Sequence, residues 1–137
     1  MNHRKDAFGH MIISYNGEKC SYGKFGCIES YSSINAIVNK INSKAKYGKL
    51  LINEKNYIGT LKSELQNNDS ATEIVNQGGE ILGIGISNLV RLLNPQLVIL
   101  SGPHIMNFEH YYEKSIEIFH SINPMENKVI FSKVGRF

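Results

Sequence analysis

The stretch from Ser70 to Leu93 leaves this chain little choice of fold. Ala71, Ile74, Val75, Gly78, Leu82, Gly85, Leu89 and Leu92 recur at helical intervals. From Ile81 to Leu93 the pattern is apolar nearly all round, which predicts a helix buried at the centre of the molecule. Ser70 and Glu73 fit a capping box at its start, and Pro95 stops it. The glycines at 78, 79, 83 and 85 each cost up to about 1 kcal/mol relative to alanine in a helix. That cost predicts close backbone packing against a neighbouring element.

The elements around this helix read as mixed α and β. Met11–Tyr15 is a strand candidate closed by the turn signal Asn16-Gly17, a hairpin cue that puts Cys20 just past the turn. Cys27, Tyr31, Ile34, Val38 and Ile41 form one apolar stripe and predict a single helix. Lys44–Asn56 is a polar connection with Leu50–Ile52 as a short apolar exception. Tyr57–Leu65 is a weaker helix, broken at Asn67-Asn68-Asp69. Leu97–Leu100 has the apolar character of a buried, parallel-type strand. Ser101-Gly102-Pro103 turns the chain. His104–Ile122 predicts a last amphipathic helix with Phe108, Tyr112, Ile116 and Phe119 on one face. Val129–Phe131 is a final strand candidate.

Bulk properties exclude several classes. The 137 residues are one domain or part of one, and 42% apolar residues suffice for a core. Lys and Arg outnumber Asp and Glu by only 15 to 12, with the lysines scattered, so no nucleic-acid patch is predicted. Two cysteines do not make a disulfide scaffold. No apolar run approaches membrane-spanning length, and no signal peptide is visible, so a soluble cytoplasmic protein is expected.

Both cysteines lie in Gly9–Ser33, together with a Gly-His pair and a glycine-punctuated loop. Structural zinc takes four nitrogen or sulfur ligands in a tetrahedron. His10, Cys20 and Cys27 supply three, and a hairpin could return His10 to the Cys20–Cys27 loop. The alternative is two small buried cysteines and an ordinary histidine. Likewise Glu29, read alone, is a first-turn helix carboxylate favoured by the helix dipole.

The same residues carry a resemblance. Gly9-His10, then Cys20-Ser-Tyr22-Gly23-Lys-Phe-Gly26-Cys27-Ile-Glu29, resembles the zinc motif of the ROK family, a group of bacterial sugar kinases and sugar-responsive repressors. Every fixed position matches except Tyr22, which stands where the family has its middle cysteine. Gly83-Ile-Gly85-Ile-Ser-Asn88 through Asn94-Pro95-Gln-Leu-Val-Ile-Leu looks like that family's central helix leading into a strand of its second nucleotide-binding half.

The resemblance implies an α/β fold of the actin-like ATPase, ribonuclease H-like (hexokinase-like) type. Residues 1–137 would be a single, incomplete C-terminal lobe, with the zinc-motif loop at 9–33. The chain would then be an expression fragment, a proteolytic fragment or the product of a broken gene. His10 and Glu29 would reach sugar hydroxyls, while His10, Cys20 and Cys27 would hold zinc, with Tyr22 in place of the fourth ligand. A further sugar-contacting glutamate of the family is replaced by Ala7. Ser101 and Gly102 would form the nucleotide-side turn, where kinases of the family carry a Gly-Gly pair before the position of Pro103.

That departure favours the sugar-sensing lobe of a transcriptional regulator over a sugar kinase. ATP and magnesium would enter only with a kinase parent. No catalytic residue is assigned, because the family's phosphate loop and catalytic aspartate have no counterpart here and phosphoryl transfer needs them together. The implied partners are a monosaccharide or sugar phosphate and further copies of the chain, without direct nucleic-acid or membrane contact. A third reading is a non-binding dimerisation remnant whose Phe108, Tyr111, Tyr112 and Phe119 form an exposed surface.

Overall fold

The computed structural model describes residues 8–20, 23–44, 57–123 and 129–134. The expectations at Ala7, Tyr22, Leu50–Ile52 and the terminal residues fall outside these. Six helices and two strands occur among the described residues. In chain order they are α1 (Glu29–Ser32), α2 (Ile34–Ser43), α3 (Tyr57–Asn67), α4 (Asp69–Leu93), β1 (Leu97–Ser101), α5 (Pro103–Asn107), α6 (Glu109–Ile122) and β2 (Ile130–Val134).

The long central helix is α4. Its start differs from the predicted capping box. The cap is Asn68, in extended backbone, whose side-chain oxygen accepts the N–H groups of Ser70 at 3.0 Å and Ala71 at 3.3 Å. Asparagine's short carbonyl reaches the first-turn donors as well as a serine hydroxyl does, so the helix begins earlier than the Ser-x-x-Glu pattern suggests. At the other end Asn94 adopts the left-handed conformation (φ 49°), and its N–H bonds back to Val90. Pro95 follows.

Helix α6 lies along α4, and α1, α2 and α3 also pack against α4. The α4 glycines make this packing close. A Cβ at Gly79 would stand 2.7 Å from the Tyr111 carbonyl oxygen, and one at Gly83 would collide with the Ser115 carbonyl. A Cβ at Gly78 would stand 2.9 Å from the Tyr31 carbonyl, against α1. The all-round burial predicted for Ile81–Leu93 fails in the last turn, where Leu92 is 78% exposed and Leu93 is also open to solvent. The chain turns away at Asn94, which leaves Leu92 and Leu93 uncovered among the described residues, while Val90 on the same turn stays buried.

Two predicted helices are each broken in two. The stripe from Cys27 to Ile41 stops at Ser33, which is extended (ψ 152°) and uses its hydroxyl to cap α2 through Ala36 N–H. The last helix breaks at Phe108 between α5 and α6. On α6 the buried face is Tyr111, Ser115 and Phe119, with Tyr112 and Ile116 only half-buried. Phe108, Tyr111 and Phe119 are core residues, which removes the exposed aromatic surface expected for a dimerisation remnant.

Strands β1 and β2 pair in parallel, Leu97 with Ile130 through Ser101 with Val134. Val98, Leu100 and Phe131 pack on the core, and the Phe131 ring meets Phe119 edge to face at 4.8 Å. Leu97, Ile99 and Ile130 face outward and are exposed, so β1 is parallel as predicted but not buried on both faces.

Asn68→Ala should lower stability by about 1 kcal/mol and Ser70→Ala by a few tenths at most, measured by urea unfolding. Gly83→Ala should destabilise by about 1–3 kcal/mol through overpacking against α6. Gly59→Ala on α3, where a Cβ meets nothing within 4 Å, should stabilise by up to about 1 kcal/mol.

Candidate metal and ligand site

Residues 24–29 form the axis of the site, with a neighbouring segment on either side. On one side Ile12 pairs antiparallel with Cys27, Ile13 N–H bonds to Gly26 O at 2.7 Å, and Ile28 N–H bonds to Met11 O. On the other, Lys19 pairs with Phe25, and Cys20 N–H bonds to Lys24 O at 2.7 Å. The predicted turn exists, with Gly17 N–H on Ser14 O and Asn16 at φ 65°. It does not make a simple hairpin, because residues 24–28 insert between the two arms. Gly26 permits this insertion. Its φ is +81°, and any Cβ there would strike the Ser14 carbonyl.

Backbone pairing therefore brings together side chains distant in sequence. The ligand atoms of His10, Cys20 and Cys27 all lie within 4.8 Å of one another. Both cysteines are buried thiols, not joined to each other. His10 Nε2 is 3.5 Å from Glu29 Oε2, and Glu29 N–H bonds to Gly9 O. Burial pushes the Cys27 thiol up to about 11, helped by its hydrogen bond to Cys20 and by the charge of Glu29. A thiol in that state keeps its proton at neutral pH. Two sulfurs and an imidazole nitrogen are the donor set zinc prefers, so the described residues fit three of its four positions. The fourth, at Tyr22, is outside the described residues.

Beside the cluster runs an open groove of about 520 Å³, lined by Glu18, Cys20, Glu29, Ser33, Asn39 and Lys40 among others. Lys40 Nζ is 2.7 Å from the Glu18 carboxylate and 4.5 Å from the centre of the Tyr31 ring, and Tyr31 Oη accepts the Glu18 N–H. The sequence reading missed Ser33, Asn39 and Lys40. Their signal was the polar stripe of α2 opposite Ile34, Val38 and Ile41.

Ser101 and Gly102 do not line this groove. They lie at the end of β1, where Gly102 (φ 114°) caps α5 and Pro103 is its first residue. Proline costs nothing there, because the first helical N–H has no intrahelical partner. His104 follows, half-buried and edge-on to Tyr111 at 5.4 Å. Burial lowers its pKa from the ordinary 6.5. As pH falls through that ordinary value the unfolded chain takes up a proton that the folded chain refuses, so stability present above it is lost. His104→Gln should therefore lose less thermal stability than the parent between about pH 7.5 and 5.5, read from melting curves.

Residues 5–132 match the model of the ROK family. The xylose repressor of Bacillus subtilis is 38% identical over 109 residues, which is 72% of this chain and 26% of the repressor. The transcriptional dual regulator NagC of Escherichia coli is 27% identical over 97 residues, 69% of this chain and 24% of that protein. The chain thus spans about a quarter of the curated relatives it matches. Among solved structures, a ROK hexokinase from Thermus thermophilus superposes with a TM-score of 0.74 at 21% identity, over 96% of this chain and 43% of that one. A ROK transcriptional regulator homologous to E. coli MLC gives 0.74 at 19% identity, over 92% and 33%.

Proposed function

The chain belongs to the ROK family, and on that premise we propose that it is the sugar-sensing portion of a ROK transcriptional regulator. One observation carries the choice of regulator over kinase: the 38% identity to a xylose repressor over most of the chain. The fold does not separate the two, since a hexokinase and a regulator superpose equally well.

In this reading the sugar lies in the groove beside Glu29, whose volume suits a small ligand. Glu29 accepts hydrogen bonds from sugar hydroxyls, and the His10 imidazole contacts another. His10, Cys20 and Cys27 would hold a zinc ion, which would fix the loop presenting these groups. Zinc supplies rigidity there, a supporting role for the residues that touch the ligand. Catalysis and DNA contact are not assigned to this segment. Self-association belongs to the same proposal. Exposed apolar residues available for it among the described residues include Leu92, Leu97, Ile99 and Ile130, whereas Phe108, Tyr111 and Phe119 are buried.

Calorimetric titration with D-xylose, D-glucose and N-acetylglucosamine tests the ligand. Binding of one of them should weaken about tenfold or more in Glu29→Gln, the loss of one charged hydrogen bond. No heat with any monosaccharide would favour the non-binding remnant. Elemental analysis should find about one zinc per chain in the parent and none in Cys27→Ser. Zinc in neither the parent nor Tyr22→Cys would remove the metal from the proposal.

A further inference from the structure

The two thiols differ in access. Cys20 lines the groove and keeps 7% of its surface, while Cys27 lies beneath it at 0%. Their sulfurs are within 4.8 Å and their side chains are hydrogen-bonded. The backbone carrying them is pinned by Cys20 N–H to Lys24 O, Gly23 N–H to Cys20 O and Ile28 N–H to Met11 O. A disulfide needs a sulfur separation of about 2 Å.

We propose that Cys20 and Cys27 are a redox pair that closes to an intramolecular disulfide when a small-molecule disulfide enters the groove. The Cys20 sulfur loses its proton to solvent and attacks one sulfur of the oxidant, forming a mixed disulfide and releasing the first thiol. The Cys27 sulfur then loses its proton and attacks Cys20 Sγ, expelling the second thiol. Two chain thiols are oxidised and one external disulfide is reduced to two thiols. The product takes away two of the three clustered donors, so oxidation and metal occupancy exclude one another here. The inference goes beyond the sugar-sensing reading and does not depend on it.

The test treats the folded chain with oxidised glutathione in the presence of a chelator, with circular dichroism following the fold. The expected result is loss of both thiols and of two hydrogens in mass, without dimers on non-reducing electrophoresis. Peptide mapping should give a Cys20–Cys27 link that dithiothreitol reverses. Cys27→Ser should instead retain one glutathione at Cys20. A parent that ends as a stable glutathione adduct, forms disulfide-linked dimers or keeps both thiols while folded would overturn the proposal. An inert, folded Cys27→Ser would overturn the order of attack. Should that variant not fold, the mapping of the parent decides.

Discussion

Three helices far apart in sequence meet at Ser32. Its hydroxyl donates to the Gly78 carbonyl of α4 at 2.6 Å, and its own carbonyl accepts the Tyr111 hydroxyl of α6 at 2.9 Å. All of these atoms are buried, where an unmade hydrogen bond costs about 1–3 kcal/mol. Burial pushes the Tyr111 phenol far above its ordinary range, so it stays a donor. The glycine at 78 lets α1 approach closely enough for the Ser32 bond, since a Cβ there would press on the Tyr31 carbonyl. The site segment ends directly in α1. The Ser32 junction therefore fixes where Cys27 and Glu29 stand relative to the core.

A second polar junction does similar work at the far end of α4. Asn123 donates to Ser87 Oγ at 2.6 Å and accepts from Arg91 Nε at 2.9 Å. Between the two junctions, Gly79 and Gly83 let α4 and α6 approach closely. Helices α4 and α6 are thus closely packed along their contact, while the sheet beyond them is partly open. Strand β1 hides Val98 and Leu100 but leaves Leu97 and Ile99 to solvent. This half-covered parallel pair belongs to a fold whose related structures are more than twice as long. The cluster at residues 10–29 uses none of that sheet, so its geometry is set within the segment and its helical support.

Much of this was legible in the chain. The central helix, the parallel character of β1 and the order of elements follow from apolar periodicity and from Pro95, because burial of a stripe is a local pattern. The family followed from Gly9-His10 and the Cys20–Glu29 motif, because tight turns and ligand chemistry restrict which residues can stand there. Helix breaks were less legible. Ser33 and Phe108 interrupt stripes that continue in register on either side, and a period analysis reads across them. The cap at Asn68 was hidden by the Ser70–Glu73 pattern, which satisfies the same rule two residues later.

The sequence by itself determined which residues could form a cluster: one imidazole and two thiols, spaced by glycines that tolerate positive φ. Only the tertiary structure decided that they meet. Residues 24–28 insert between the two arms at 11–13 and 18–20, and this pairing depends on contacts across the loop rather than on neighbours in the chain. The tertiary structure also decided that Cys20 faces a groove while Cys27 does not, and that Tyr111 rather than Tyr112 turns inward. Burial of a side chain is settled by what packs over it: Tyr111 turns inward where its hydroxyl meets the Ser32 carbonyl of α1, and Cys27 is covered within its own folded segment.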